Sequence, residues 1–198
     1  MKEFIQRLLL VNITGASLLS IYLLINRLDG RGHTELEMPA WVPFWPGMAL
    51  PYLMMLIFPV FLQMLIQDQR RFLQSLLSVI IAFTATAILW ILFPTEMIRP
   101  PLDARSHISI YQFMIGVDRP VNIFPCGHVL WPVAVLFFLT KEHRNWLRIL
   151  LPLFLVGTVT IVTTWQHRPV DVLTGIGLSL GSIWLATRVR WGAIHSDS

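Results

Sequence analysis

With 198 residues, 55% of them hydrophobic and only 13% charged, and a mean hydropathy of +0.65, this chain does not have water as its main solvent. Soluble domains carry about 25% charged residues. The formal charge of +4 and the pI near 9.8 would suit nucleic acid, but the basic residues stand in short clusters between apolar runs, as in the inner loops of membrane proteins, so a nucleic-acid partner is excluded. A single cysteine, Cys126, excludes an intrachain disulfide framework. The length suits one domain over residues 1–198. It shows no linker, repeat, four-ligand zinc pattern or Gly-rich phosphate loop.

A helix needs about 20 mostly apolar residues to cross the hydrocarbon core, and six stretches qualify. The first runs from about Leu8 to Asn26. Lys2 and Arg7 ahead of it give it the look of a signal peptide, but the apolar run is too long and no small-residue cleavage site follows, so it reads as a membrane helix. The Asn12-Ile13-Thr14 sequon inside it is a chance match. The segment from Arg27 to Trp45, with Trp41 and Trp45 among prolines, suits the interfacial belt and reads as a short amphipathic piece lying flat on the surface.

The second span runs from about Met48 to Ile66 and contains Pro51 and Pro59, which membrane helices tolerate. The third runs from about Phe72 to Phe93. A long polar loop, Pro94 to about Pro120, follows; loops of that length often carry function. The fourth span covers about Val121 to Thr140, its first part broken by Pro125 and Gly127. The fifth covers about Leu147 to Trp165 and the sixth about Asp171 to Val189. Apolar runs of this length do not alternate, so strands are excluded there. The predicted fold is all-α: a polytopic membrane protein with six transmembrane helices forming a bundle.

Orientation follows from Lys and Arg in the flanks. With the N-terminus inside, the inner flanks hold Lys2, Arg7, Arg70, Arg71, Lys141, Arg144, Arg148, Arg188 and Arg190. The outer segments hold Arg27, Arg31, Arg99, Arg105, Arg119 and Arg168. Nine against six predicts N-in and C-in, and the size and simplicity of the chain suggest a bacterial inner membrane. Three polar clusters then share the outer, periplasmic face: Arg99-Pro100, Pro125-Cys126-Gly127-His128, and His167-Arg168-Pro169-Val170-Asp171.

These residue types suit phosphoryl transfer. A neutral imidazole, with a pKa near neutrality, can attack phosphorus. Asp171, four positions after His167, would be one helical turn away and would accept the N–H of the ring's other nitrogen. A second histidine, His128, can protonate the leaving oxygen. Arg99 and Arg168 can hold phosphate oxygens in two-pronged contacts. The backbone N–H groups of Cys126, Gly127 and His128 at a helix N-terminus would form an anion site, with Gly127 admitting close approach. No metal or cofactor is required. His107 matches no motif, and His33, His143 and His195 read as solvated loop or tail residues. Cys126 reads as a backbone donor, not a nucleophile. Gly157, Gly175, Gly177 and Gly181 read as helix-packing positions.

Pro125-Cys126-Gly127-His128 followed by His167-x-x-x-Asp171 resembles the type 2 phosphatidic acid phosphatase family, related to the vanadium haloperoxidases. The fragments Asp118–Pro125 and Asp171–Gly175 are similar to it as well. The resemblance covers roughly Pro94 to Gly175. It implies a helical bundle, a phosphohistidine intermediate on His167, Asp171 as its orienting partner, His128 as general acid and Arg99 as a phosphate ligand. It also implies a lipid phosphate or diphosphate substrate in contact with membrane lipids. The alternatives are a lipid head-group phosphotransferase on the same scaffold and a non-catalytic lipid-binding relative. Three positions differ from the family's usual pattern: Leu92 stands where a Lys is usual, Cys126 where a Ser is, and Ile161 where an Arg is. Two cationic ligands are thereby replaced, and Arg168, Arg105 or Arg119 would have to stand in.

Overall fold

The computed structural model describes residues 1–28, 32–100 and 109–189. Arg31, Arg105, His107, Arg190 and His195 lie outside them. The chain is 72% helical with almost no sheet. Among the described residues seven α-helices follow in order: α1 Lys2–Asn26, α2 Ala49–Gln63, α3 Gln69–Leu92, α4 Ser109–Val117, α5 Leu130–Glu142, α6 Leu147–Thr163 and α7 Pro169–Arg188. Five of the helical stretches are long and apolar enough to cross a membrane: Lys2–Asn26, Pro46–Gln63, Gln69–Leu92, Arg144–Thr163 and Pro169–Arg188. Their outward faces are apolar, with Ile13, Phe61 and Leu173 all well exposed. Water does not favour such a surface and lipid does, so the chain is compatible with an integral membrane protein.

Local chemistry sets the helix ends. Asp68 caps α3, its carboxylate accepting the Arg71 N–H at 2.7 Å. Pro169 occupies the first position of α7, where a missing N–H costs nothing. Asp171 reaches back to accept the Arg168 N–H at 2.8 Å, one half of a capping box.

The fourth predicted span needs correction. Residues 121–129 are not helical, and α5 begins only at Leu130. Pro125 lacks the N–H a helix needs, and the Cys126 N–H is drawn instead to the Asp171 carbonyl at 3.0 Å. With 13 residues, α5 is about 20 Å long, short of a full crossing. Its apolar side chains are largely buried, including Leu130, Val133, Ala134, Val135, Phe138 and Leu139. It packs against α2, α3, α6 and α7. The segment from Arg27 to Trp45 also differs from expectation. It contains a strand, β1 Thr34–Leu36, which pairs in parallel with β2 Thr95–Met97, placing Thr34 opposite Thr95 and Leu36 opposite Met97. Glu96 of β2 bridges Val121 on its other side.

The polar contacts sort to two opposite ends. At one, Arg7 of α1 donates to the carbonyls of Ile66 and Gln67 at 2.6 and 2.7 Å, and Glu142 accepts the Gln67 and Asp68 N–H groups. At the other meet the ends of α1, α3 and α6, the starts of α2, α5 and α7, and the two strands. Trp90 of α3 donates its indole N–H to the Pro125 carbonyl at 3.0 Å, and Trp45 donates its N–H to the Thr163 carbonyl at 2.8 Å. All three sequence clusters lie at this second end.

Candidate active site

Four stretches of chain build the site. Residues 120–124 are tied to β2. The Met97 N–H donates to the Pro120 carbonyl at 2.8 Å and the Asn122 N–H to the Thr95 carbonyl at 2.9 Å. The Thr95 hydroxyl accepts the N–H groups of Ile123 and Phe124 at 3.0 and 3.1 Å. The Phe124–Pro125 peptide bond is cis. Residues 125–129 then pass between α3 and α7. Gly175 of α7 packs so closely on the Cys126 carbonyl that a Cβ there would collide with backbone. The expected packing role of Gly175 thus has a specific partner.

This backbone brings His128 and His167 together. His128 Nδ1 and His167 Nε2 are 2.8 Å apart. His167 is buried and His128 half-buried. The neighbours determine where the protons lie. His167 Nδ1 is 2.5 Å from the Ile123 carbonyl, an acceptor only, so that nitrogen carries hydrogen. In the neutral ring Nε2 is then bare and accepts from His128 Nδ1–H. His128 Nε2 in turn accepts the Tyr52 hydroxyl at 2.9 Å. The chain of donation runs from Tyr52 through His128 and His167 to Ile123, and it leaves a lone pair on His167 Nε2.

The partner expected for His167 is corrected here. Asp171 does not receive the ring N–H; the Ile123 carbonyl does. Asp171 spends its carboxylate on Arg168, accepting Nη2–H at 2.8 Å and Nε–H at 3.1 Å as well as the backbone N–H. The reason is the helix start. His167 precedes the N-cap, outside the helical repeat, so the four-residue spacing does not place the two side chains on one face. Asp171 acts on the site through backbone: its carbonyl holds the Cys126 N–H. Arg168, bound into this pair, is not on the wall of the site cavity.

Arg99 is where the sequence put it. Its Nη2–H donates to Gln166 Oε1 at 2.8 Å and its Nη1–H to the Asp118 carbonyl at 3.1 Å. Among the described residues its buried Nε–H has no partner. Of the backbone donors expected from Cys126, Gly127 and His128, the Cys126 N–H is used by Asp171, and Gly127 lies against the Trp90 ring. Arg119 is exposed, and Leu92 lies on the outside while Ile161 is buried in the core.

The site opens into a cavity of about 620 Å³. His128, His167, Arg99 and Gln166 stand on its polar wall. Elsewhere it is lined mainly by apolar side chains of α1, α2 and α3, among them Leu19, Leu56 and Phe83. Sequence reasoning missed Tyr52, Gln166 and Asp118, which also line it. Tyr52 had one visible signal: it is one of three tyrosines and stands inside an apolar run, where a hydroxyl needs a partner. Asp118 is bonded by the Tyr22 hydroxyl. Burial raises its carboxyl, while Tyr22 and Arg99 hold it back.

Cys126 Sγ, His128 and His167 offer ligand atoms within 4.8 Å of one another, a set that could gather a soft divalent ion. Such an ion would have to displace the hydrogen bond between the rings.

Desolvation lowers His167. His167 falls to about 4, with Arg99 and Arg168 adding to the shift and the Ile123 carbonyl opposing it. His167 is therefore neutral near pH 7, as the donation chain requires. A histidine depressed in the folded state stabilises it above the unfolded pKa of about 6.5 and loses that contribution as pH falls toward 4. Lowering pH from 7 to 4 is expected to cost up to about 3 kcal/mol through His167. Thermal unfolding in detergent should therefore show a drop in Tm that is smaller in His167→Gln; equal drops in both proteins would contradict it.

Compared with family models, with curated proteins and with solved structures, the chain finds no match in any of the three.

Proposed function

We propose that this chain is an integral membrane phosphoric ester hydrolase of the type 2 phosphatidic acid phosphatase kind, acting on a lipid phosphate or diphosphate through a phosphohistidine. One observation carries the reading: a bare imidazole nitrogen, His167 Nε2, faces a second histidine and stands on the same cavity wall as Arg99, with apolar lining beyond. The polar end suits a phosphate and the apolar remainder suits a hydrocarbon chain.

In the first step the His167 Nε2 lone pair attacks phosphorus and the ester P–O bond breaks. Phosphorus must come within about 3–3.5 Å of Nε2, so the contact between the two rings gives way as the phosphoryl group enters. The arriving anion favours protonated His128, which gives its proton to the leaving alcohol oxygen. In the second step neutral His128 takes a proton from water, the water oxygen attacks phosphorus, and the P–N bond breaks. Inorganic phosphate leaves, and the electron pair returns to Nε2. Tyr52 orients His128, and the Ile123 carbonyl keeps His167 in the reactive tautomer. Arg99 neutralises charge on the phosphoryl oxygens. No metal enters these steps.

In this reading six segments cross the membrane as a bundle. The sixth is α5 together with residues 121–129, whose irregular backbone is tolerated because it is enclosed by protein and lines a cavity. N-in and C-in orientation in a bacterial inner membrane places the site at the periplasmic face. A second reading, transfer of the phosphoryl or head group to an acceptor alcohol, uses the same His128 and His167 and differs in the acceptor that attacks the phosphohistidine. The test is purified protein in mixed micelles with a set of lipid phosphates, with and without added alcohols. Release of inorganic phosphate without an acceptor is expected. Turnover only with an acceptor would give the second reading, and no turnover of any lipid phosphate would end both.

A further inference from the structure

Asn122 is a buried amide that the protein itself does not satisfy. It is 2% exposed, yet among the described residues neither its Nδ2 nor its Oδ1 has a hydrogen-bond partner. Buried polar side-chain atoms are nearly always paired, and each exception needs a reason. Its backbone is also unusual: φ is 62°, in the left-handed region that asparagine tolerates better than most residues but that still carries strain. The conformation is held from outside, by the Asn122 N–H bonded to the Thr95 carbonyl and the following N–H groups bonded to the Thr95 hydroxyl. The next residue, Ile123, supplies the carbonyl that sets the His167 tautomer. Asn122 lines the same cavity as His128, His167 and Arg99. Strain plus an unsatisfied amide on the wall of a reactive cavity is the pattern of a group kept for a ligand.

We infer that Asn122 is a substrate-binding residue, its carboxamide holding the phosphoryl group opposite Arg99. The Nδ2–H donates to one phosphoryl oxygen, and Oδ1 accepts the hydrogen of a P–OH. The inference rests on the phosphoryl-transfer reading and deepens it. With Leu92 and Ile161 at the positions where the resemblance places cations, Arg99 is the one cationic side chain among the described residues on the cavity wall. A neutral amide supplies a further donor without the cost of burying another charge. Trp131 Nε1 is likewise buried, unpartnered and on this wall, but it offers a donor alone, whereas Asn122 offers both halves of the contact.

The experiment uses the full chain in detergent and orthovanadate as a mimic of the five-coordinate phosphoryl group. It measures inhibition of lipid phosphate release together with the shift in Tm on orthovanadate addition. Asn122→Gly removes the amide and accepts the positive φ. It is expected to weaken orthovanadate binding and kcat/KM tenfold or more while leaving the Tm of the free protein unchanged or raised. A structural asparagine would instead lower that Tm. Asn122→Asp keeps the shape but sets a carboxylate against the phosphoryl oxygens, and it should lose at least as much binding. If Asn122→Gly does not fold, the Asp variant decides alone. Orthovanadate binding within twofold of wild type in a folded variant overturns the inference and leaves the phosphoryl-transfer reading intact. Failure of the wild-type protein to bind orthovanadate or to turn over any lipid phosphate overturns that reading, and this inference with it.

Discussion

Alanine at His167 is expected to abolish phosphate release, by about 10³-fold or more, with the helices intact. The reasoning is specific to this ring. His167 Nε2 carries the lone pair because Nδ1–H is committed to the Ile123 carbonyl; removing the ring removes the nucleophile of the proposed mechanism, and no described neighbour replaces it. The Cys126 thiol lies 3.9 Å from His128 Nδ1, but it is fully buried and not on the cavity wall, so substrate does not reach it. Loss of a covalent catalyst costs orders of magnitude in kcat because both half-reactions pass through it. The measurement is inorganic phosphate release from the best lipid phosphate, paired with acid-sensitive, base-stable labelling of the wild-type protein as phosphohistidine. Retained turnover in His167→Ala would end the mechanism.

For His128→Ala the expected loss is about 10²- to 10⁴-fold, the range of general acid–base catalysis. Its dependence on leaving group separates a proton donor from a residue that merely packs. With an alkyl ester the leaving alkoxide is a strong base and needs the proton, so the first step fails. An activated aryl phosphate leaves unaided, so the first step recovers while the second still lacks its base. His128→Ala with an aryl phosphate should therefore show a burst of about one phenol per site and then stall as the phosphohistidine. The opposite result, an equal loss with both esters and no burst, would reduce His128 to a structural neighbour of Tyr52 and His167.

The bridge through Tyr52 and Ile123 also shows where sequence reasoning stopped. The helical segments were legible because hydropathy is local: about 20 apolar residues prefer lipid wherever they lie in a chain. Five predicted spans match helices to within a few residues, apart from the first, which begins earlier, at Lys2. The fourth failed in its first half because Pro125 has no N–H for a helix and the Cys126 N–H goes to the Asp171 carbonyl in the first turn of α7. The meeting of His128 with His167 was also legible, from an alternation of apolar runs that brings both to one end. The partner of His167 was not. A helical spacing pointed to Asp171, but His167 sits before the N-cap of α7, and the backbone N–H and guanidinium of Arg168 claimed that carboxylate.

What the chain determined by itself is the apolarity that makes the helices compatible with lipid, the order of those helices and the clustering of Arg99, His128 and His167 at one end. These depend on composition and periodicity within single segments. Tertiary structure alone decided which nitrogen of His167 is bare, that Tyr52 stands behind His128 from 76 positions away, and that Asn122 is left with an unmet amide. Hydrogen-bond partners are chosen by tenths of an ångström between segments far apart in sequence, and that distance exists only once the helices have packed.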